Sequence, residues 1–314
     1  MGAVAGKTRR GTMTAQRFDV YTQVTNNIIA AIEAGAGGWQ MPWHRSGEGL
    51  NRPVNIDTAK AYRGINVVSL WAAGQARGFT TGTWGTYRQW QNKGCQVRKG
   101  EKSSLVVFYK ELDVEEQNAE TGATEHATRL MARASWVFNA DQVDGYEAPA
   151  LPEPKDPVQV IDAAERFVGG TGAIVRHGGS RAFYRPSDDI IQMPERERFL
   201  GTGTSSATES YYATLLHELT HWTGHDRRCD RQFGKRFGDD AYAMEELVAE
   251  LGAAFLCADL GVTLTPRPDH AAYIDNWLKV LKADKKAIFT AASQAAKATD
   301  FLGGLQSAEA EEAA

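Results

Sequence analysis

The stretch Leu215-Leu216-His217-Glu218-Leu219-Thr220-His221-Trp222-Thr223-Gly224-His225 carries the pattern H-E-x-x-H inside a helix-forming run. Residues four apart on a helix stand one turn above another on the same face, so His217 and His221 aim their imidazoles at one point. Glu218 is rotated off that line and reaches a water on a metal rather than the metal itself. That is the place of a general base. Zinc lowers the pKa of its bound water towards ~7, so a neighbouring carboxylate can take the proton and release a hydroxide nucleophile. The implied chemistry is hydrolysis. Ala213 to Leu216 and Leu219 favour helix, and Gly224 suits a helix end just after the second histidine.

A tetrahedral hydrolytic site takes three protein ligands and leaves the fourth position to water, and a downstream helix is the usual third donor. Tyr242 to Leu256 fits that part. Leu247, Leu251, Ala254 and Phe255 mark an apolar stripe, with Glu246 and Glu250 four apart on a neighbouring face. Carboxylates buried beside such a stripe need partners. Glu246 on the metal, with Glu250 accepting the outer N–H of a ligand histidine, would supply them and fix the histidine tautomer. His225 is the rival third ligand, in phase if the helix runs on through Gly224, and Glu245 stands behind both.

The chain has 314 residues, enough for two domains with cores of their own. No run approaches the ~20 apolar residues of a membrane span, and Met1 to Arg10 lacks the apolar centre of a signal peptide. A cytoplasmic protein is expected. Cys95, Cys229 and Cys257 are odd in number and widely spaced, which argues against a disulfide framework or a cysteine zinc site. The net charge of -4 conceals an asymmetry: residues 1 to 110 hold 15 Lys+Arg against 5 Asp+Glu, and the remainder 20 against 34. A basic segment in an otherwise acidic chain is the footprint of a polyanion site.

Residues 1 to 15 read as a flexible basic arm. Phe18, Tyr21, Val24, Ile28, Ile29 and Ile32 fall at helical spacing. A loop with Trp43 and Arg45 follows, then Arg52, Lys60, Tyr62 and Arg63. Thr83 is available as the N-cap of a helix from Trp84 to Trp90. Leu105 to Tyr109 and Leu130 to Phe138 read as partner strands around an acidic excursion. Together with Arg88, Trp90, Lys93, Arg98, Lys99 and Lys102, these cations and aromatics are the candidate nucleic-acid contacts. Cations meet the phosphates and aromatic faces meet the bases of a single strand without regard to sequence. Trp71, Trp84 and Trp136, taken singly, read as core.

Glu147 to Pro157 is proline-rich and polar, the clearest boundary in the chain. Beyond it come an amphipathic helix through Val160 and Phe167, three short strands, the metal helix and the glutamate helix. Helix continues from 271 to 301, before an acidic tail. The expected class is α+β, in two domains: an ssDNA-binding domain over 16–146, a linker over 147–157, a metal-site domain over 158–303 and a tail over 304–314. A sheet edge beside the metal helix is a place where an extended peptide is held by strand addition.

With these residues in view the chain resembles the ArdC family of antirestriction proteins from conjugative plasmids. The resemblance rests on Tyr62-Arg63-Gly64-Ile65-Asn66, Val97-Arg98-Lys99-Gly100-Glu101-Lys102, Trp136-Val137-Phe138-Asn139, the H-E-x-x-H run and Glu245-Glu246-Leu247-Val248-Ala249-Glu250-Leu251. It implies an N-terminal domain that binds single-stranded DNA and a C-terminal zincin-like metallopeptidase domain. It also implies His217, His221 and Glu246 as ligands of one Zn2+, Glu218 as base, and protection of incoming DNA from restriction. The expected partners are single-stranded DNA, with double-stranded DNA second, and a protein substrate such as a restriction subunit. The alternative is a DNA-tethered zinc metalloprotease that cleaves such a protein. A metal-dependent nuclease is less consistent with one histidine-rich ion site, since such nucleases gather carboxylates around paired ions.

Overall fold

Helix α6 (Asp240–Leu260) passes through the centre of the molecule, and almost every residue from Glu245 to Ala258 is buried, acidic ones included. The computed structural model describes residues 19–36, 52–117, 124–147, 157–200, 206–231, 240–262 and 270–312. Around α6 pack α4 (Pro157–Gly169), α5 (Ala207–Trp222), α7 (His270–Ala283) and α8 (Ala287–Glu312). Helix α5 begins at a capping box, in which the Ser206 hydroxyl accepts from the Glu209 amide and the Glu209 carboxylate accepts from the Ser206 amide. A three-stranded sheet flanks it, with β7 (Ile174–His177) and β8 (Phe183–Arg185) on either side of β9 (Ile190–Met193). The β7–β9 pair is parallel and the β8–β9 pair antiparallel, which leaves β8 at the edge nearest α5.

The N-terminal half is built on a sheet of order β1-β2-β5-β4: β1 (Val54–Asn55), β2 (Thr83–Gly85), β4 (Ser104–Gln117) and β5 (Thr124–Asn139). A two-stranded ribbon joins β3 (Gln96–Val97) to β6 (Val143–Asp144). Helix α2 (Ile65–Arg77) covers the outer edge of β4, where the Asn66 side chain exchanges two hydrogen bonds with the Val107 backbone at 2.8 and 2.7 Å. An amide there does what a further strand would do, closing the edge against other chains.

Helix α3 (Tyr87–Asn92) starts later than expected. Trp84 belongs to β2, and the N-cap is Thr86, whose hydroxyl pairs with Gln89 in a capping box. Gly85 leaves room for Trp90: a Cβ there would lie 2.5 Å from Ile56 Cγ2 and 3.0 Å from Trp90 Nε1.

The α+β class and the two-module order hold, but the modules share one core. A continuous apolar cluster runs from Val24 in α1 (Val20–Ala36) through Trp71 and Val106 to Phe255, Trp277, Ile288 and Leu302. Tyr21 packs on Phe289, and the Thr25 hydroxyl donates to the Lys285 carbonyl at 2.7 Å. Trp71 and Trp84 are core as expected, while Trp136 is 47% exposed. The basic arm and nearly all of the proline-rich stretch lie outside the described residues. The expected acidic tail is helical to Glu312, because Gln306 to Glu312 is made of helix formers that extend α8.

Candidate metal centre and nucleic-acid interface

Two elements make the centre. Helix α5 presents His217 and His221 one turn apart, with ring centroids 4.9 Å from each other, and α6 presents Glu246 opposite them. Glu246 Oε2 lies 3.5 Å from His217 Nε2, and Oε1 lies 3.6 Å from His221 Nε2. Among the described residues these three form the group whose ligand atoms fall within 4.8 Å of one another. A tetrahedral ion with bonds of ~2.1 Å sets its donors roughly 3.4 Å apart, so the three atoms fit a metal. The helices come this close because Gly252 faces Thr220: a Cβ would stand 2.4 Å from Thr220 Cγ2.

Behind the three donors lies a buried carboxylate shell. His221 Nδ1 sits 3.1 Å from Glu245 Oε1, which turns Nε2 towards Glu246. Arg231 grips Glu245 with two hydrogen bonds, Nε to Oε2 at 2.9 Å and Nη2 to Oε1 at 2.8 Å. Its remaining donors reach the Thr223 hydroxyl and the Thr220 carbonyl, both at 2.7 Å. Burial pushes the His221 imidazole down but is outweighed by Glu245 and Glu246, which hold it up at about 10. Burial likewise works against Glu246, and the two histidines overcome it to hold its carboxyl far below the usual range.

Glu250 stands beside His217 as expected, though its Oε2 is 3.6 Å from Nδ1, beyond hydrogen-bonding reach. Glu245 is no ligand candidate in this arrangement, since it faces the outer nitrogen of His221. His225 stands apart from the three-donor group. Helix α5 ends at Trp222, and the turn that follows sends His225 Nδ1 onto Asp226 at 2.6 Å. Glu218 points towards the small sheet, where its Oε2 accepts from the Tyr184 amide of edge strand β8 at 2.9 Å. Tyr184 is fixed in turn by its hydroxyl, which donates to Asp189 at 2.9 Å, and Arg228 holds Asp189 while stacking on Trp222. Arg231 and the Tyr184 amide had no local sequence signal. The one available hint was that three buried acidic residues on α6 demanded a counter-charge.

The nucleic-acid candidates divide sharply. Trp43 and Arg45 lie outside the described residues. Tyr62 and Trp90 are buried, the Tyr62 hydroxyl accepting from Asn55 and the Trp90 indole donating to the Phe138 carbonyl, so both are core rather than stacking faces. Arg52 is drawn into the inter-module contact, 2.6 Å from Asp259 and over the Phe255 ring. Arg63 pairs with Asp300 on α8 while staying exposed. Lys60, Arg88, Lys93, Arg98, Lys99 and Lys102 are exposed, and of these only Arg98 forms an ion pair among the described residues. Candidate membrane spans are absent from the described helices.

Residues 18–138 match the family described as the N-terminal domain of anti-restriction factor ArdC, and residues 162–294 match the zincin-like metallopeptidase family. The chain is similar to an uncharacterized protein of Sinorhizobium fredii (strain NBRC 101917 / NGR234), 50% identical over 92% of this chain and 93% of that one. It is 38% identical to the DNA primase TraC of Escherichia coli over 90% of this chain but only 27% of the primase. Among solved structures, the metal-free antirestriction ArdC protein from plasmid R388 superposes with a TM-score of 0.71 at 42% identity, covering 92% of this chain and 98% of that one. The Mn(II)-bound form of the same protein gives 0.70 at 40% identity, with the same coverage. Both halves match in the same order and one solved relative is spanned almost end to end, so the chain belongs to the ArdC family of antirestriction proteins.

Proposed function

We propose that this protein shields DNA from restriction by binding it as a single strand through the N-terminal module, without sequence preference. The observation that carries the reading is the run of five exposed cations from Arg88 to Lys102, of which four, Arg88, Lys93, Lys99 and Lys102, form no ion pair among the described residues. A merely solvated surface would mix both signs. Double-stranded DNA offers the same phosphates and is the weaker ligand on this reading, because its bases are not open to stacking.

In the metal centre, His217, His221 and Glu246 hold the ion, and two imidazoles with one carboxylate suit zinc. The ion, when bound, supplies Lewis acidity for hydrolysis. Glu218 takes the proton from the attacking water and passes it to the leaving amine. The Tyr184 amide steadies that carboxylate, and Glu245 keeps His221 in the tautomer that offers Nε2. Edge strand β8 lies where an extended peptide would align. These features favour a second reading, in which the protein is a DNA-tethered metallopeptidase acting on a protein such as a restriction subunit. A site built only for structure is closed by four protein ligands, whereas this one gathers three among the described residues and adds a base.

Protection of a plasmid in cells expressing wild type or Glu218→Ala, at matched protein level, separates the two. DNA shielding predicts full protection by the variant. Loss of protection with the variant folded and metal-loaded would transfer the function to hydrolysis.

A further inference from the structure

Beside the β3–β6 ribbon an open groove of about 570 Å³ is walled by Tyr87, Val97 and Phe138 and bordered by Arg98 and Lys99. Tyr87 is 43% exposed although it is aromatic, and its ring meets Phe138 edge to face at 6.4 Å. Gln96 Nε2 donates to the Tyr87 hydroxyl at 3.0 Å, which holds the ring in place across the groove mouth. Two carboxylates also border the groove, Glu101 and Asp144. Arg98 reaches both, at 3.1 and 3.5 Å, and Gln142 donates to Glu101 at 2.9 Å. Arg98 offsets one of these two charges, and the Gln142 amide satisfies a Glu101 oxygen. Lys99 within the groove, with Arg88, Lys93 and Lys102 on the same short stretch of chain, has no ion pair among the described residues.

A fixed, half-exposed aromatic face beside cations lacking partners is what one nucleotide of an extended polyanion requires: a surface for the base and a charge for its phosphate. A peptide partner would be acidic on this argument, but it would have no use for the ring. Strand alternation adds a second aromatic, because Trp136 lies two residues before Phe138 and so on the same face of β5, a rise of ~7 Å away. We propose that this groove is a base-stacking subsite for single-stranded DNA, with a base on Tyr87 and a phosphate at Lys99. The proposal rests on the DNA-binding reading above and names its contact surface.

The test titrates labelled oligo(dT), longer than the ~4 to 16 nucleotides that one such surface covers, and a duplex of equal length against the full chain at several salt concentrations. Tyr87→Ala is expected to weaken single-strand binding about tenfold, the worth of one stacked base, and to leave the salt slope and the duplex affinity unchanged. Tyr87→Phe keeps the ring but gives up the Gln96 bond, and is expected to retain most of the single-strand affinity that Tyr87→Ala loses. Lys99→Ala should weaken both ligands and flatten the single-strand salt slope by about 0.7, one phosphate contact. Wild-type affinity in Tyr87→Ala, or an equal loss for strand and duplex, overturns the subsite while leaving DNA binding intact. Failure of the wild type to bind oligo(dT) at all overturns the DNA-binding reading together with it.

Discussion

Glu245 carries the site without touching the place where an ion would sit. It faces His221 Nδ1 on one side and Arg231 on the other, all three largely buried. Glu245→Gln can still occupy the space but gives up the charge that matches Arg231 and the firm acceptor for the imidazole. Metal affinity, read by competition with a chelator of known strength, is expected to fall about 10- to 100-fold. Unchanged affinity would show that His221 is positioned by packing alone. Arg231 was out of reach of sequence reasoning because its partners lie 14 residues on and 8 and 11 back, joined only by the rotation of α5 against α6. His217, Glu218 and His221 were legible because one helical turn fixes their relation. The choice between Glu246 and His225 depended on where α5 stops, and Thr223 and Gly224 end it before His225 can come into phase.

At the scale of elements, the α5–α6 contact sets donor spacing. Gly252→Ala puts a methyl group against Thr220, buried on the neighbouring helix, with no flexible side-chain end to yield. The helices must part by a few tenths of an ångström or more, and overpacking of this kind costs ~1 to 3 kcal/mol. Thermal denaturation should show that loss, and the metal-loaded form should lose more than the metal-free form because Glu246 moves away from both histidines. Equal losses would separate packing from the site. The start of α3 shows how local signals compete. Thr83 and Thr86 are both cap residues, but only Thr86 has Gln three positions on, and Trp84 is claimed by a strand whose partner, Asn139, lies far along the chain. The long β4–β5 hairpin was visible in its two apolar ends, whereas its acidic outer pairs were hidden in composition that reads as loop.

For the molecule as a whole, composition suggests a boundary at the prolines but could not reveal that α1 and α2 pack into one core with the C-terminal half. That knowledge lies in contacts such as Tyr21 on Phe289 and Trp71 on Phe255, each spanning well over a hundred residues. Arg52–Asp259, Lys282–Glu33 and Lys285–Asp19 add charge pairs over the same contact. Calorimetric unfolding of the intact chain should therefore show one cooperative transition with matching van't Hoff and calorimetric enthalpies. Two resolved transitions would mean that the shared apolar cluster is too weak to couple the halves.

The same cluster gives the covalent connection between the halves an unexpected status. Two polypeptides made separately, one ending near Glu147 and one beginning near Pro157, would meet as subunits do, through the shared apolar cluster and, among the described residues, four charge pairs. Their union would obey mass action, so the activity of a split protein would rise with the product of the two concentrations. The proline-rich segment then acts as a local concentrator, replacing a dissociation constant with an effective molarity.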